Sequence, residues 1–73
     1  MFSVRLRRAN QVRDYRIRDA GADGWEVRLE EDRTVRRLER YQDWHRVERA
    51  LAMFEREVSD LRAHGWQIAP INR

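Results

Sequence analysis

Residues 24–51 read GWEVRLEEDRTVRRLERYQDWHRVERAL, and the spacing of the apolar residues changes within this stretch. Trp25, Val27 and Leu29 alternate with Glu26, Arg28 and Glu30. A period of two marks a half-buried strand. From Trp44 onward the apolar positions fall three and four residues apart, at Trp44, Val47, Leu51, Phe54, Val58 and Leu61. That spacing draws one stripe along a helix. The change of period predicts strands first and a helix after them, the pattern of an α+β domain.

Towards the N-terminus the alternation continues. Phe2, Val4 and Leu6 share one face and Ser3, Arg5 and Arg7 the other, which predicts a strand over 2–8. Ala9 and Asn10 form a turn. A second strand over 11–18 puts Tyr15 and Ile17 inward and Asp14, Arg16 and Arg18 outward. Val12 has the wrong parity, which predicts a bulge or a late strand start. Asp19 to Gly24 is a loop, with Gly21 and Gly24 where a positive φ costs least. The third strand covers 24–30. Glu31-Asp32-Arg33 makes a tight connection without the usual Asn-Gly or Asp-Gly. A fourth, weaker strand covers 34–40, where Val35 and Leu38 have opposite parity and predict a bulge or an edge.

Towards the C-terminus, Asp43 is a fitting N-cap for a helix over 43–64. Gly65 ends it in the C′ position, and Leu61 and Trp66 then occupy the C3 and C″ positions that touch in a Schellman motif. The tail 66–71 is apolar and is expected to pack on the sheet or on another chain. The expected architecture is a single domain over 1–73, a four-stranded antiparallel meander followed by one long helix on its apolar face (ββββα). A helix about 10 Å across cannot cover four strands spaced about 4.8 Å apart, so an apolar strip is left for the tail or a second copy.

The chain has 73 residues and no Cys. Disulfides, zinc ribbons and thiol chemistry are therefore excluded. Domains below roughly 70–80 residues often need an added staple, and the one left here is association. A homodimer is expected, with Trp66, Ile68 and Ile71 as its candidate interface. No apolar run approaches the ~20 residues of a membrane span. The basic N-terminus lacks the apolar core of a secretory signal, so a cytoplasmic location is expected.

All 16 basic residues are Arg, and the formal net charge is +3. Arginine codons are favoured by a GC-rich genome, and arginine also makes forked contacts with phosphate and carboxylate. The charge is unevenly spread. Residues 1–18 hold Arg5, Arg7, Arg8, Arg13, Arg16 and Arg18 against Asp14 alone, whereas residues 19–32 hold six acids against Arg28. Residues 33–42 are basic again. This order predicts neighbouring strands that neutralise one another.

Four features are candidates for function. The parity places Arg5, Arg7, Arg16, Arg18, Arg28 and Arg36 on the solvent face of the sheet, with Asp14, Glu26 and Glu30 among them. Such a face tracks a phosphate backbone, meets an acidic protein partner, or forms a ladder of cross-strand ion pairs, arginines of strands two and four against glutamates of strand three. Tyr15 and Trp25 point inward, so the stacking platform common in single-strand binders is missing. His45 and Glu48 lie one helical turn apart, but two ligands fall short of a metal site. Trp25, Trp44 and Trp66 read as core filling in preference to a ligand pocket. The helix stripe reads as packing on its own sheet in preference to a coiled-coil seam. Catalytic signatures are missing: there is no glycine-rich phosphate loop, no Cys nucleophile and no His placed to activate Ser3 or Ser59. No cofactor, metal or catalytic residue is assigned.

The segment from Asp43 to Leu51, with Arg62 to Trp66 closing the helix, looks like that of short uncharacterised bacterial proteins of the same meander-plus-helix layout, and it implies no activity. The order of four strands then a helix is similar to the single-stranded nucleic-acid-binding folds of the PC4 and Whirly type. That resemblance implies dimers with a basic sheet face. This sequence departs from it in lacking Lys, in lacking exposed aromatics, and in carrying acids on the candidate face. The reading from sequence is a small non-catalytic binding or regulatory module acting on a protein partner as a homodimer. The alternative is a single-stranded nucleic-acid binder using Arg5, Arg7, Arg16 and Arg18.

Overall fold

The computed structural model describes residues 2–70. The chain runs β1 (Phe2–Arg8), β2 (Gln11–Asp19), β3 (Trp25–Glu31), β4 (Thr34–Tyr41), α1 (Trp44–Ala63) and β5 (Gln67–Ala69), with one 3-10 turn at Gly21–Asp23. The first four strands are the expected antiparallel meander, each within a residue of its expected bounds. The sheet has five strands, not four, in the order β4-β3-β2-β1-β5. The tail expected to pack somewhere adds itself to the sheet edge. Leu6 opposes Ile68, and Arg5 and Arg7 oppose Ala69 and Gln67. Ile71 lies outside the described residues.

The apolar parity of each strand faces α1. Leu6, Tyr15, Ile17 and Val27 from the sheet, Val47, Ala50 and Phe54 from the helix, and Trp66 make the buried core. Tyr15 meets Phe54 edge-on at 5.0 Å between ring centres. Its hydroxyl donates to Glu57 Oε2 at 3.0 Å, so a buried phenol is satisfied by the helix that covers it. The helix stripe is thus spent within the chain. Of its members only Trp44 is substantially exposed, and that ring rests against Trp25 at 4.9 Å.

Both helix ends follow the sequence signals. Asp43 accepts the His45 backbone N–H at 2.9 Å. At the other end the Trp66 N–H reaches the Leu61 carbonyl and the Gly65 N–H the Arg62 carbonyl, with Gly65 at φ 93°. Those two bonds make the Schellman motif. They turn Trp66 back into the core, where the Arg8 and Arg13 guanidinium groups lie 5.1 and 5.2 Å from its ring.

Two local expectations are corrected. Val12 causes no bulge: it pairs with Arg7 in an unbroken β1–β2 register and sits half-buried on the outer face. Arg36 does not stand in the outer arginine row. It is the extra residue of a bulge in β4, where Leu29 opposes Arg37 and Glu30 opposes Val35, and its guanidinium reaches Glu31 at 3.6 Å. The bulge restores one face to Val35 and Leu38, whose opposite parity had pointed to it.

The β3–β4 turn uses Asp32 at φ 50° and Arg33 at φ 70°, the left-handed pair a two-residue hairpin requires. Asp32 offsets the strain by bonding Val12 of β2 twice. Its carboxylate accepts the Val12 N–H at 2.8 Å and its own N–H donates to the Val12 carbonyl at 2.9 Å. Among the described residues no helix is long and apolar enough to cross a membrane.

Candidate nucleic-acid interface

With α1 on one side, the other side of the sheet is open. Register assigns its residues: Arg5 and Arg7 of β1, Val12, Asp14, Arg16 and Arg18 of β2, Glu26, Arg28 and Glu30 of β3, and Val35, Leu38 and Arg40 of β4. Its arginines outnumber its acids two to one.

The acids are not free. Asp14 and Glu26 are only 5% and 3% exposed, although no secondary-structure element covers this face. Arginine side chains from the same and neighbouring strands lie over them. Asp14 accepts from Arg5 at 2.9 Å and from Arg16 at 3.1 Å, and Glu26 accepts from Arg18 at 2.7 Å. Arg28 reaches Glu30 at 2.5 Å. Burial works to raise the Asp14 carboxyl. The hydrogen bonds and charges of Arg16 and Arg5 outweigh it, and the group sits below the usual carboxylate range. The expected ion-pair ladder therefore exists. Its rungs run from β1 to β2 and from β2 to β3, and also between residues two apart on one strand, in addition to the Arg36–Glu31 link between β3 and β4.

The ladder leaves positive charge over. Arg7 and Arg40 are exposed and have no acidic partner within bridging distance among the described residues. The side chains of Arg16 and Arg18 remain 44% and 65% exposed while bridged. Arg16 and Arg28 stand directly opposite each other, and the Arg28 Nε is buried with no hydrogen-bond partner. These two arginines, with Arg18 and Glu26, border a small open hollow of about 170 Å³. A wider depression of about 620 Å³ lies towards the turns, between Arg5, Arg7, Asn10 and Arg33.

Of the arginines picked from sequence, Arg7, Arg16 and Arg18 are presented to solvent, whereas Arg5 is largely committed to Asp14. Arg28 and Arg40 complete the face. For the candidate interface residues, Trp66 is buried in the chain's own core and Ile68 is 56% exposed on β5. The tryptophan trio is split, with Trp66 far from the Trp25–Trp44 pair along the helix. His45 and Glu48 approach to 3.6 Å on a solvated helix face. Among the described residues no group of three His, Cys, Asp or Glu side chains is placed to hold a metal ion.

Sequence reasoning missed the polar cluster on the helix side of β4. Arg37 bridges Glu39, Tyr41 donates to Glu39 at 2.5 Å, and the Arg37 guanidinium lies 5.8 Å from the Phe54 ring. Hydrogen bonds from Tyr41 and Arg37 hold the Glu39 carboxyl below its ordinary range. The signal for this cluster is the bulge: once Arg36 is skipped, Arg37, Glu39 and Tyr41 take the parity of Leu29, Val27 and Trp25.

Comparison with protein-family models, curated proteins and solved structures found no match to this chain.

Proposed function

We propose that this chain is a non-catalytic binding module whose open arginine face lies along the phosphates of single-stranded nucleic acid. The observation that carries the reading is the apposition of Arg16 and Arg28. Like charges directly opposite on a sheet are unfavourable, and the acids nearby are already occupied. Arg16 shares Asp14 with Arg5, and Arg28 bridges Glu30, so a phosphate above the pair takes up the charge that the shared carboxylate leaves and accepts from the guanidinium N–H groups those acids do not use. Same-face side chains two apart along a strand are about 6.6 Å from each other, comparable to successive phosphates of an extended strand. The face carries no aromatic platform, so contacts go to the backbone and read no base sequence.

The test is fluorescence anisotropy of labelled random single-stranded DNA and RNA, with duplex as comparison, across a salt series. Neutralising three or four phosphates gives a log–log salt slope of about −2 to −3. Arg7→Ala and Arg18→Ala should each weaken binding across all sequences and flatten the slope. Absence of binding at low salt would overturn the reading, as would binding indifferent to both substitutions.

A protein partner is the second reading. What favours it is the exposure of Val35 and Leu38, 43% and 49%, side by side on the outer face of an edge strand. It ranks second because Trp66, expected at such an interface, is absorbed into the chain's own core. Affinity for a protein at this apolar pair would persist in high salt.

A further inference from the structure

From the free edge of β4 we infer that two copies of this chain pair through it, antiparallel about a two-fold axis at Leu38, making one continuous ten-stranded sheet. The inference does not rest on the nucleic-acid reading. Among the described residues β4 has no strand on its outer side, and its eight residues contain no proline. The other edge is blunted, since β5 has three residues and Pro70 follows it.

The occupant is fixed by the pattern of β4. A two-fold axis perpendicular to the sheet must oppose residues of the same face. With Arg36 skipped as the bulge residue, Val35, Leu38 and Arg40 share the outer face and Thr34, Arg37, Glu39 and Tyr41 the inner. Centred on Leu38, every pair then matches. Leu38 meets Leu38 of the second copy, Arg37 meets Glu39, Val35 meets Arg40, and Thr34 meets Tyr41. No like charges are opposed. Moving the centre by one residue towards either end keeps the faces matched but sets Glu39 against Glu39 or Arg37 against Arg37. Charges and a bulge normally discourage pairing at an edge, and here they reject other strands and other registers while accepting a second copy in this one. The pairing also covers Val35 and Leu38 and puts two arginine faces on the same side.

Because the chain has no Cys, single cysteines report the register directly. Leu38→Cys should cross-link to itself under mild oxidation, far faster than Val35→Cys or Arg40→Cys alone. A mixture of Val35→Cys and Arg40→Cys should give the mixed dimer. In sedimentation, Val35→Lys should shift the protein towards monomer by facing Arg40, and Val35→Glu, equally exposed, should shift it towards dimer. Circular dichroism checks that both variants fold. A mass near 9.0 kDa at high micromolar concentration would overturn the inference. So would equal cross-linking by all three cysteines, or equal masses for the Lys and Glu variants.

Discussion

Asp14 lies beneath Arg5 and Arg16, and Arg5 is its register partner across β1 and β2. One carboxylate thus joins two guanidinium groups on the face that no helix covers, and it is buried by the side chains it neutralises. The arrangement contributes, together with Glu39, to the acid sensitivity of the fold.

The Asp14 carboxyl is held below its ordinary range in the folded chain. A depressed pKa contributes stability above the unfolded value, about 3.9, and that contribution is lost as pH falls through the folded value. Urea midpoints should therefore fall as pH drops below about 4. Asp14→Asn should lower stability at pH 7 by about 1–2 kcal/mol, less than for a fully buried pair because both arginines are partly solvated, and its midpoint should change less below pH 4. Parallel acid profiles for the two proteins would show that other carboxylates carry the effect.

Tyr15→Phe removes the hydrogen bond to Glu57 but keeps the ring against Phe54. The expected loss is about 1 kcal/mol. In a double-mutant cycle with Glu57→Ala, which leaves the Tyr15 hydroxyl no acceptor at this position, a coupling near zero in urea melts would remove this bond from the account of how helix and sheet are joined.

The two loop glycines should differ. At Gly24, φ 84°, a Cβ would lie 2.3 Å from the Tyr41 carbonyl oxygen, whereas at Gly21, φ 63°, it would meet nothing within 4 Å. Gly21→Ala should cost about 1 kcal/mol, the strain of the left-handed region. Gly24→Ala must also displace the end of β4, and its melting temperature should fall further. Equal melting temperatures would show that β4 yields there freely.

Phe54→Ala should cost about 3–5 kcal/mol, comparable with the whole stability of a domain this small, and should leave the chain largely unfolded by circular dichroism. Met53→Ala, one position along the helix and 48% exposed, should stay folded with a change under about 1 kcal/mol.

The four-strand meander and the helix were legible in the sequence because each carries a period long enough to repeat. β5 carries none. Gln67-Ile68-Ala69 is too short to alternate visibly, and it is a strand only because β1 has a free edge where the Schellman turn delivers it. The outer arginine row was legible by parity as far as Arg28. The burial of Asp14 and Glu26 was not, because parity tells which face a carboxylate takes and not that a longer side chain will fold over it. Arg37, Glu39 and Tyr41 were hidden by the bulge, since one skipped residue reverses the parity of everything after it.

The antiparallel match of β5 with β1, Arg5 to Ala69 and Arg7 to Gln67, sets the end of the last strand beside Arg5, three residues into the first. A pulling force on Arg5 and Ala69 would act on neighbouring points and open the bonds between those strands one after another, like a zipper. That edge is accordingly weak against tension, and β5, with its three residues, would peel away before β1 parted from β2, with which β1 is paired along its whole length.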